Sequence, residues 1–102
     1  MEKGQKMYAL CEELFPINRS LTGEGVRQTL LVLQRELPEL KIHEVTSGTK
    51  CFDWTIPKEW NCNDAYIIDP DGKKLCSFKK NNLHLVGYST PINQKINLDK
   101  LQ

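Results

Sequence analysis

The segment "SLTGEGVRQTLLVLQRELP", residues 20–38, contains the clearest secondary-structure pattern in the chain. Its apolar residues recur at helical spacing and form one stripe: Val26, Leu30, Leu33 and Leu37. Pro38 ends the pattern because proline has no amide N–H and disfavours helical geometry in the residue before it. The segment therefore predicts a helix over residues 23–37 that directs one apolar face towards a core.

The stretch "TGEG", residues 22–25, is predicted to be the start of this helix. Thr22 is the predicted N-cap, since its hydroxyl can accept a hydrogen bond from a first-turn N–H. Glu24 lies where the helix dipole favours a negative charge, and Leu21 and Val26 occupy the positions of a hydrophobic staple. A weaker alternative is an anion site formed by free N–H groups. A dinucleotide loop is disfavoured because Gln28 stands where its third glycine should be.

A second helix is predicted nearer the N-terminus, over residues 5–15. Its apolar stripe consists of Met7, Leu10, Cys11 and Leu14. Pro16 prevents its continuation. Two helices are therefore expected in the first third of the chain.

After Pro38 the apolar pattern changes to a period of two. "DPDG", residues 69–72, is typical of a β-turn, and Asn97 is positioned to cap a helix beginning at Leu98. Four to five short strands are predicted, from the segments at residues 40–45, 52–56, 65–68, 73–78 and 83–89. The predicted fold class is α+β, with two N-terminal helices followed by a small antiparallel β-sheet of four to five short strands.

The composition indicates which partners and which cellular compartment to expect for this protein. The 102 residues fit one domain, which should bury roughly 60–70% of its unfolded surface. Because 14 Lys and Arg balance 13 Asp and Glu, a nucleic-acid partner is not expected. No apolar run approaches the roughly 18 residues of a membrane helix. The four cysteines form no C-x-x-C pair, so we expect reduced thiols and a cytoplasmic protein.

The sequence contains no recognisable catalytic or metal-binding motif. His43 and His84 are the only histidines and are not part of an H-E-x-x-H helix. No serine lies in a G-x-S-x-G elbow. We therefore predict no catalytic residue and no metal ligand in this chain. The aromatic residues of the strands can form a core between layers or, less often, a ligand platform.

Three stretches carry a resemblance to a known family. They are "FPINRSLTGEGVRQTL" (15–30), "HEVTSGTKCFDWTIPKEWNCNDAYIIDPDGKKL" (43–75) and "NNLHLVGYSTPIN" (81–93). The chain resembles, over about residues 7–102, bacterial aminopeptidase-like proteins of unknown function that are related to zinc aminopeptidases and glutamate carboxypeptidases. Several of these proteins are labelled as polysaccharide-biosynthesis proteins with an aminopeptidase-like domain.

The resemblance implies a longer molecule, in which an α/β zinc-peptidase domain carries an inserted β domain and a winged-helix segment follows. Residues 1–48 would be the N-terminal helical segment of the peptidase-like domain, and residues 49–102 would begin the inserted β domain. The resemblance implies zinc in the full-length parent. It places the metal ligands downstream of this chain, so no ligand is carried over to any residue here.

The first hypothesis is an N-terminal fragment of an aminopeptidase-like zinc metallohydrolase that is inactive alone. Its partner would be the remainder of the peptidase-like domain. The residues expected to line the substrate pocket are Arg19, Thr22, Trp54 and Trp60. Two alternatives from other classes are an interaction module that pairs or self-associates through an exposed β edge, and a carbohydrate-binding β domain that uses both tryptophans.

Overall fold

The computed structural model describes residues 2–102 and contains short elements joined by long connections. The helices are α1 (Lys3–Leu14), α2 (Glu24–Glu36) and α3 (Leu98–Leu101), and a 3-10 helix spans Asn82–His84. The strands are β1 (Lys50–Cys51), β2 (Trp54–Thr55), β3 (Ile67–Ile68) and β4 (Lys74–Leu75). The chain has the α+β composition expected from the sequence.

The first two helices lie where the apolar spacing predicts them, and other segments complete the C-terminal end of α1. The last carbonyls of a helix have no partner within it. The Arg19 guanidinium donates to the Leu14 carbonyl over 2.9 Å, and the Asn82 amide donates to the Phe15 carbonyl over 2.9 Å. Within residues 2–102, no helix has the length and apolar character needed to cross a membrane.

The strands form two separate antiparallel hairpins, and the expected single sheet of four to five strands is not observed. β1 pairs only with β2, and β3 pairs only with β4. The strand predicted over residues 52–56 is confirmed only at Trp54–Thr55, because the chain reverses between Cys51 and Trp54, which face each other. A period of two is equally compatible with one strand and with two short strands around a tight turn. Phe52 adopts φ 56° at this turn.

Two further predicted strands are wrong. Residues 40–45 form no strand and run as irregular chain. Residues 83–89 begin within the 3-10 helix, where the Asn81 side chain accepts a 3.0 Å hydrogen bond from the Leu83 N–H. An asparagine that bonds its own backbone competes with strand pairing, which explains the failure of the period-two pattern here.

The predicted turn at residues 69–72 and the predicted cap of the C-terminal helix are confirmed. The strands predicted on either side of the turn, over residues 65–68 and 73–78, are confirmed only at Ile67–Ile68 and Lys74–Leu75. The Asp69 carboxylate accepts hydrogen bonds of 2.9 Å from the N–H groups of both Asp71 and Lys73, and Gly72 provides the positive φ of the turn, 82°. The Asn97 side chain accepts from the Lys100 N–H over 2.9 Å and caps α3.

The described residues enclose no apolar core. No hydrophobic side chain among them is buried, and the radius of gyration is 18.0 Å, against about 13 Å for a compact domain of this length. The accessible surface is 9196 Å², whereas a compact monomer of this mass exposes about 5,900 Å². The expected burial of 60–70% of the unfolded surface is therefore wrong. The apolar stripes of the helices find little to pack against within these residues.

Candidate functional site

The loop that precedes α2 is joined to a segment about forty residues further along the chain. The Trp60 N–H donates to the Thr22 carbonyl over 3.1 Å, and the Ser20 hydroxyl is 3.0 Å from the Trp60 carbonyl. The Asn61 side chain accepts from the Glu24 N–H over 2.7 Å. We call residues 20–25 together with Trp60 and Asn61 the TGEG junction.

The prediction that Thr22 is the N-cap of α2 is wrong. The cap of α2 is Gly23, which has no side chain to accept a hydrogen bond, and the Thr22 side chain does not cap the helix. Asn61 performs this role from outside the local sequence. Because the Glu24 N–H is already bonded to Asn61, it is not free for an anion, which weakens the alternative of an anion site.

Both glycines of the TGEG junction are required by close backbone approach. A Cβ atom at Gly23 would lie 2.6 Å from the Trp60 carbonyl oxygen. A Cβ atom at Gly25 would lie 1.8 Å from the Asn18 carbonyl oxygen. The two glycines thus allow the loop to pass close to its neighbours, which is a structural role and not a phosphate-binding one.

A cleft of about 610 Å³ opens beside the TGEG junction, between the first half of α2 and residues 42–47. Arg27 is its central charged group. The Arg27 guanidinium lies 3.3 Å from the Glu24 carboxylate and 3.7 Å from Glu44, and it also pairs with Glu59. The Glu59 hydrogen bond is the main reason why the pKa of Arg27 is raised above its ordinary value.

The charged residues at the cleft form a cluster of ion pairs. Three carboxylates surround one guanidinium, and all four groups are accessible to solvent, which screens their attraction. Together they hold Glu44 and Glu59 beside α2.

Of the four residues predicted to line a substrate pocket, the structure brings Thr22 and Trp60 together, through a backbone hydrogen bond of 3.1 Å, and leaves Arg19 and Trp54 apart from this contact. Thr22 lines the cleft. Trp60 contributes its backbone to the TGEG junction. Arg19 closes the end of α1, and Trp54 lies on β2 with 53% of its surface exposed. Their role in a larger pocket stays a prediction.

The indole of Trp60 is engaged within the chain. Its ring stacks on Tyr88 with the centroids 6.0 Å apart and an interplanar angle of 28°. Its Nε1–H donates to the Ser89 carbonyl over 3.0 Å. The Tyr88 hydroxyl in turn donates to the Lys58 carbonyl over 3.0 Å. These contacts anchor residues 88–89 to the TGEG junction and explain why Trp60 is one of the less exposed aromatic residues.

Sequence reasoning missed the residues that organise this region, namely Glu44, Glu59 and Asn61. All three belong to segments without regular secondary structure. Polar residues in such segments produce no periodic pattern, so their partners cannot be read from spacing. Asn61 lies in "KEWNCN", residues 58–63, a segment without an apolar period.

The donor set of the described residues does not fit a zinc site. Within residues 2–102, no three side chains of His, Cys, Asp or Glu lie close enough to hold a metal ion. His43 lines the cleft, whereas Nδ1 of His84 lies 3.1 Å from the Ser77 carbonyl oxygen. The two histidines therefore take part in different local structures.

The comparisons with known proteins identify the family. A family model described as "Domain of unknown function (DUF4910)" matches residues 8–97. The chain belongs to the DUF4910 family. The DUF4910 match covers α1 from Tyr8 onwards, all of α2, both hairpins and the TGEG junction.

One relative of this DUF4910 chain comes from Clostridium acetobutylicum and is named as a candidate polysaccharide biosynthesis protein with an aminopeptidase-like domain. It is 54% identical over 101 residues, which are 99% of this chain and 23% of the relative. A crystal structure of a candidate peptidase from the same organism matches with a TM-score of 0.90 and 54% identity. That match covers 96% of this chain and 23% of the other.

These findings confirm the family resemblance that the sequence indicates. They also show that the chain spans about a quarter of the length of the relatives it matches. The division at residue 48 into a peptidase-like segment and an inserted β domain stays a prediction.

Proposed function

We propose that this chain is the N-terminal part of an aminopeptidase-like zinc metallohydrolase, to which it contributes scaffold and no catalytic groups. The observation that carries the proposal is the match, at 54% identity, to 23% of a relative named for an aminopeptidase-like domain. The absence of a buried apolar core among residues 2–102 supports a scaffold role, because such a surface requires another body to cover it.

In this proposal the zinc ligands belong to polypeptide outside this chain, since the described residues do not fit a zinc site. Within this chain, the contacts of the TGEG junction would fix the start of α2. The cleft beside Arg27 would form part of a wall. Its acidic residues would favour a substrate end that carries a positive charge, as a peptide amino terminus does. A cytoplasmic location stays a prediction.

The experiment compares this chain with a chimera. In the chimera, this chain replaces the matching 23% of the Clostridium acetobutylicum relative. Zinc content is measured by mass spectrometry, and amide hydrolysis is measured with aminoacyl anilides. We expect zinc and hydrolysis in the chimera and neither in the 102-residue chain. Stoichiometric zinc in the chain alone would contradict the scaffold role, and a folded chimera without zinc or hydrolysis would contradict the metallohydrolase.

A further inference from the structure

One side of α1 exposes a continuous apolar strip. Met7, Tyr8 and Cys11 of α1 and its C-cap residue Phe15, whose backbone is still helical, follow the spacing i, i+1, i+4 and i+8, which places them on one side of a helix. Met7 and Tyr8 each expose 68% of their surface, Phe15 exposes 57%, and Cys11 is also exposed. We call these four residues the α1 face.

The area left uncovered is too large for a standard contact with a second copy. The chain exposes about 3,300 Å² more surface than a compact monomer of its mass. A standard interface covers about 800 Å² on each partner, so a dimer of that size would leave most of this excess exposed. A larger covering body is needed.

The layer rules of folds indicate the nature of that body. An amphipathic helix in an α+β protein packs on a sheet or on another helix. α1 has 12 residues and is about 18 Å long. Every strand among the described residues has only two residues, and such a strand is too short to be covered by α1.

We propose that the α1 face docks onto an apolar surface of the portion of the longer protein that lies outside this chain. The contact is intramolecular. It rests on the proposed function in one respect, the existence of a longer polypeptide, which the 23% coverage of the relatives supports.

The native thiol of Cys11 reports on this contact directly. The rate of maleimide alkylation at Cys11 is measured by peptide mass spectrometry in the 102-residue chain and in the full-length chimera. The rate in urea is the reference for full exposure in both proteins. We expect Cys11 to react at least tenfold more slowly in the folded chimera than in the chain. A rate in the folded chimera that equals the rate in urea would overturn the proposal.

A second copy as the occupant is a separate outcome. Sedimentation of the 102-residue chain, with alkylation of Cys11 at increasing protein concentration, detects it. Dimerisation that protects Cys11 in the chain alone would overturn the intramolecular assignment. Zinc and hydrolysis are measured on the same chimera, so slow alkylation without zinc would contradict only the proposed function, and fast alkylation with zinc would contradict only the docking.

A matched pair of variants gives an independent readout in the chimera. Met7→Lys places a charge on the α1 face, whereas Ala9→Lys places the same charge on the opposite, exposed side of α1. We expect Met7→Lys to lower the unfolding temperature by at least about 2 °C and Ala9→Lys to leave it nearly unchanged. Equal shifts would contradict the docking.

A chimera that does not fold is replaced by the native Clostridium acetobutylicum protein, for which a crystal structure exists. Hydroxyl-radical footprinting is then applied to its helix that matches Lys3–Leu14. Protection of the apolar side of that helix, with oxidation of its polar side, is the expected result. Oxidation of both sides to the same extent would overturn the proposal.

Discussion

The side chain of Asn61 accepts a 2.7 Å hydrogen bond from the backbone N–H of Glu24, which lies 37 residues earlier in the chain. The first N–H groups of a helix have no partner within it. In α2 one of these groups is satisfied by a residue that follows both α2 and the first hairpin. The start of α2 thus depends on tertiary structure, although its apolar stripe is encoded locally.

Asn61→Ala is expected to destabilise the chain by about 0.5–2 kcal/mol, as the loss of an N-cap side chain usually does. Urea unfolding monitored by circular dichroism measures the change. Asn63→Ala is the matched control, because Asn63 is an exposed asparagine in the same connection. Equal urea midpoints for the two variants would contradict the capping role of Asn61.

Gly25→Ala and Gly4→Ala are expected to act in opposite directions. A Cβ at Gly25 would lie 1.8 Å from the Asn18 carbonyl oxygen, and relieving such a clash costs roughly 1–3 kcal/mol. A Cβ at Gly4, within α1, meets nothing within 4 Å, so alanine should stabilise this helix by up to about 1 kcal/mol. Urea midpoints test both signs. A stable Gly25→Ala protein would show that the TGEG junction does not need this glycine.

The stabilisation contributed by the ion pair between α1 and α2 is expected to be lost at acid pH. The Arg35 guanidinium binds the Glu13 carboxylate over 2.7 Å and 2.9 Å, and it lowers the pKa of Glu13 below its ordinary value. A carboxyl whose pKa is depressed by folding stabilises the folded state at pH values above its unfolded-state pKa, which is about 4.3 for glutamate. This stabilisation is lost as the pH falls through the lower, folded-state pKa.

Carboxyl carbon NMR of Glu13 measures this titration. We expect a midpoint below that of an ordinary glutamate, and Arg35→Gln should move the midpoint upwards. A Glu13 midpoint that is the same with and without the Arg35 guanidinium would contradict the ion pair in solution.

Trp60→Phe is expected to loosen the segment that contains Tyr88 and Ser89. Phenylalanine retains an aromatic ring but cannot donate to the Ser89 carbonyl, which accepts from the indole over 3.0 Å. The expected cost is about 1 kcal/mol, with faster hydrogen exchange around Ser89. Trp54→Phe is the control, since Trp54 is 53% exposed and such surface changes usually stay within about 0.5 kcal/mol. Unchanged exchange in Trp60→Phe would contradict this anchoring.

The sequence-based predictions succeed where the stabilising contacts join residues that are close in the sequence. Leu30 and Leu33 share a side of α2 because of the helical repeat alone, and Asp69 forms its turn with residues two and four positions away. Asn97 likewise caps α3 through a neighbour three positions away. Such contacts lie within a few residues, so the sequence specifies them directly.

The strands around Phe52 and Leu83 were predicted less well. Alternation at Phe52 is interrupted by a turn, and Leu83 enters a 3-10 helix that is favoured by Asn81. The period-two pattern records which residues are apolar and contains no information about the partner strand. A strand of two residues therefore cannot be distinguished from a longer one by pattern alone.

By itself, the sequence determined the two helices, the turn at residues 69–72, the capped helix α3 and the family of the chain. Only the tertiary structure decided that Asn61 caps α2, that three carboxylates gather at Arg27 and that the α1 face is left uncovered. The reason is physical: helices and turns are stabilised between near neighbours, whereas a cap, an ion-pair cluster or an exposed face depends on where distant segments lie in space.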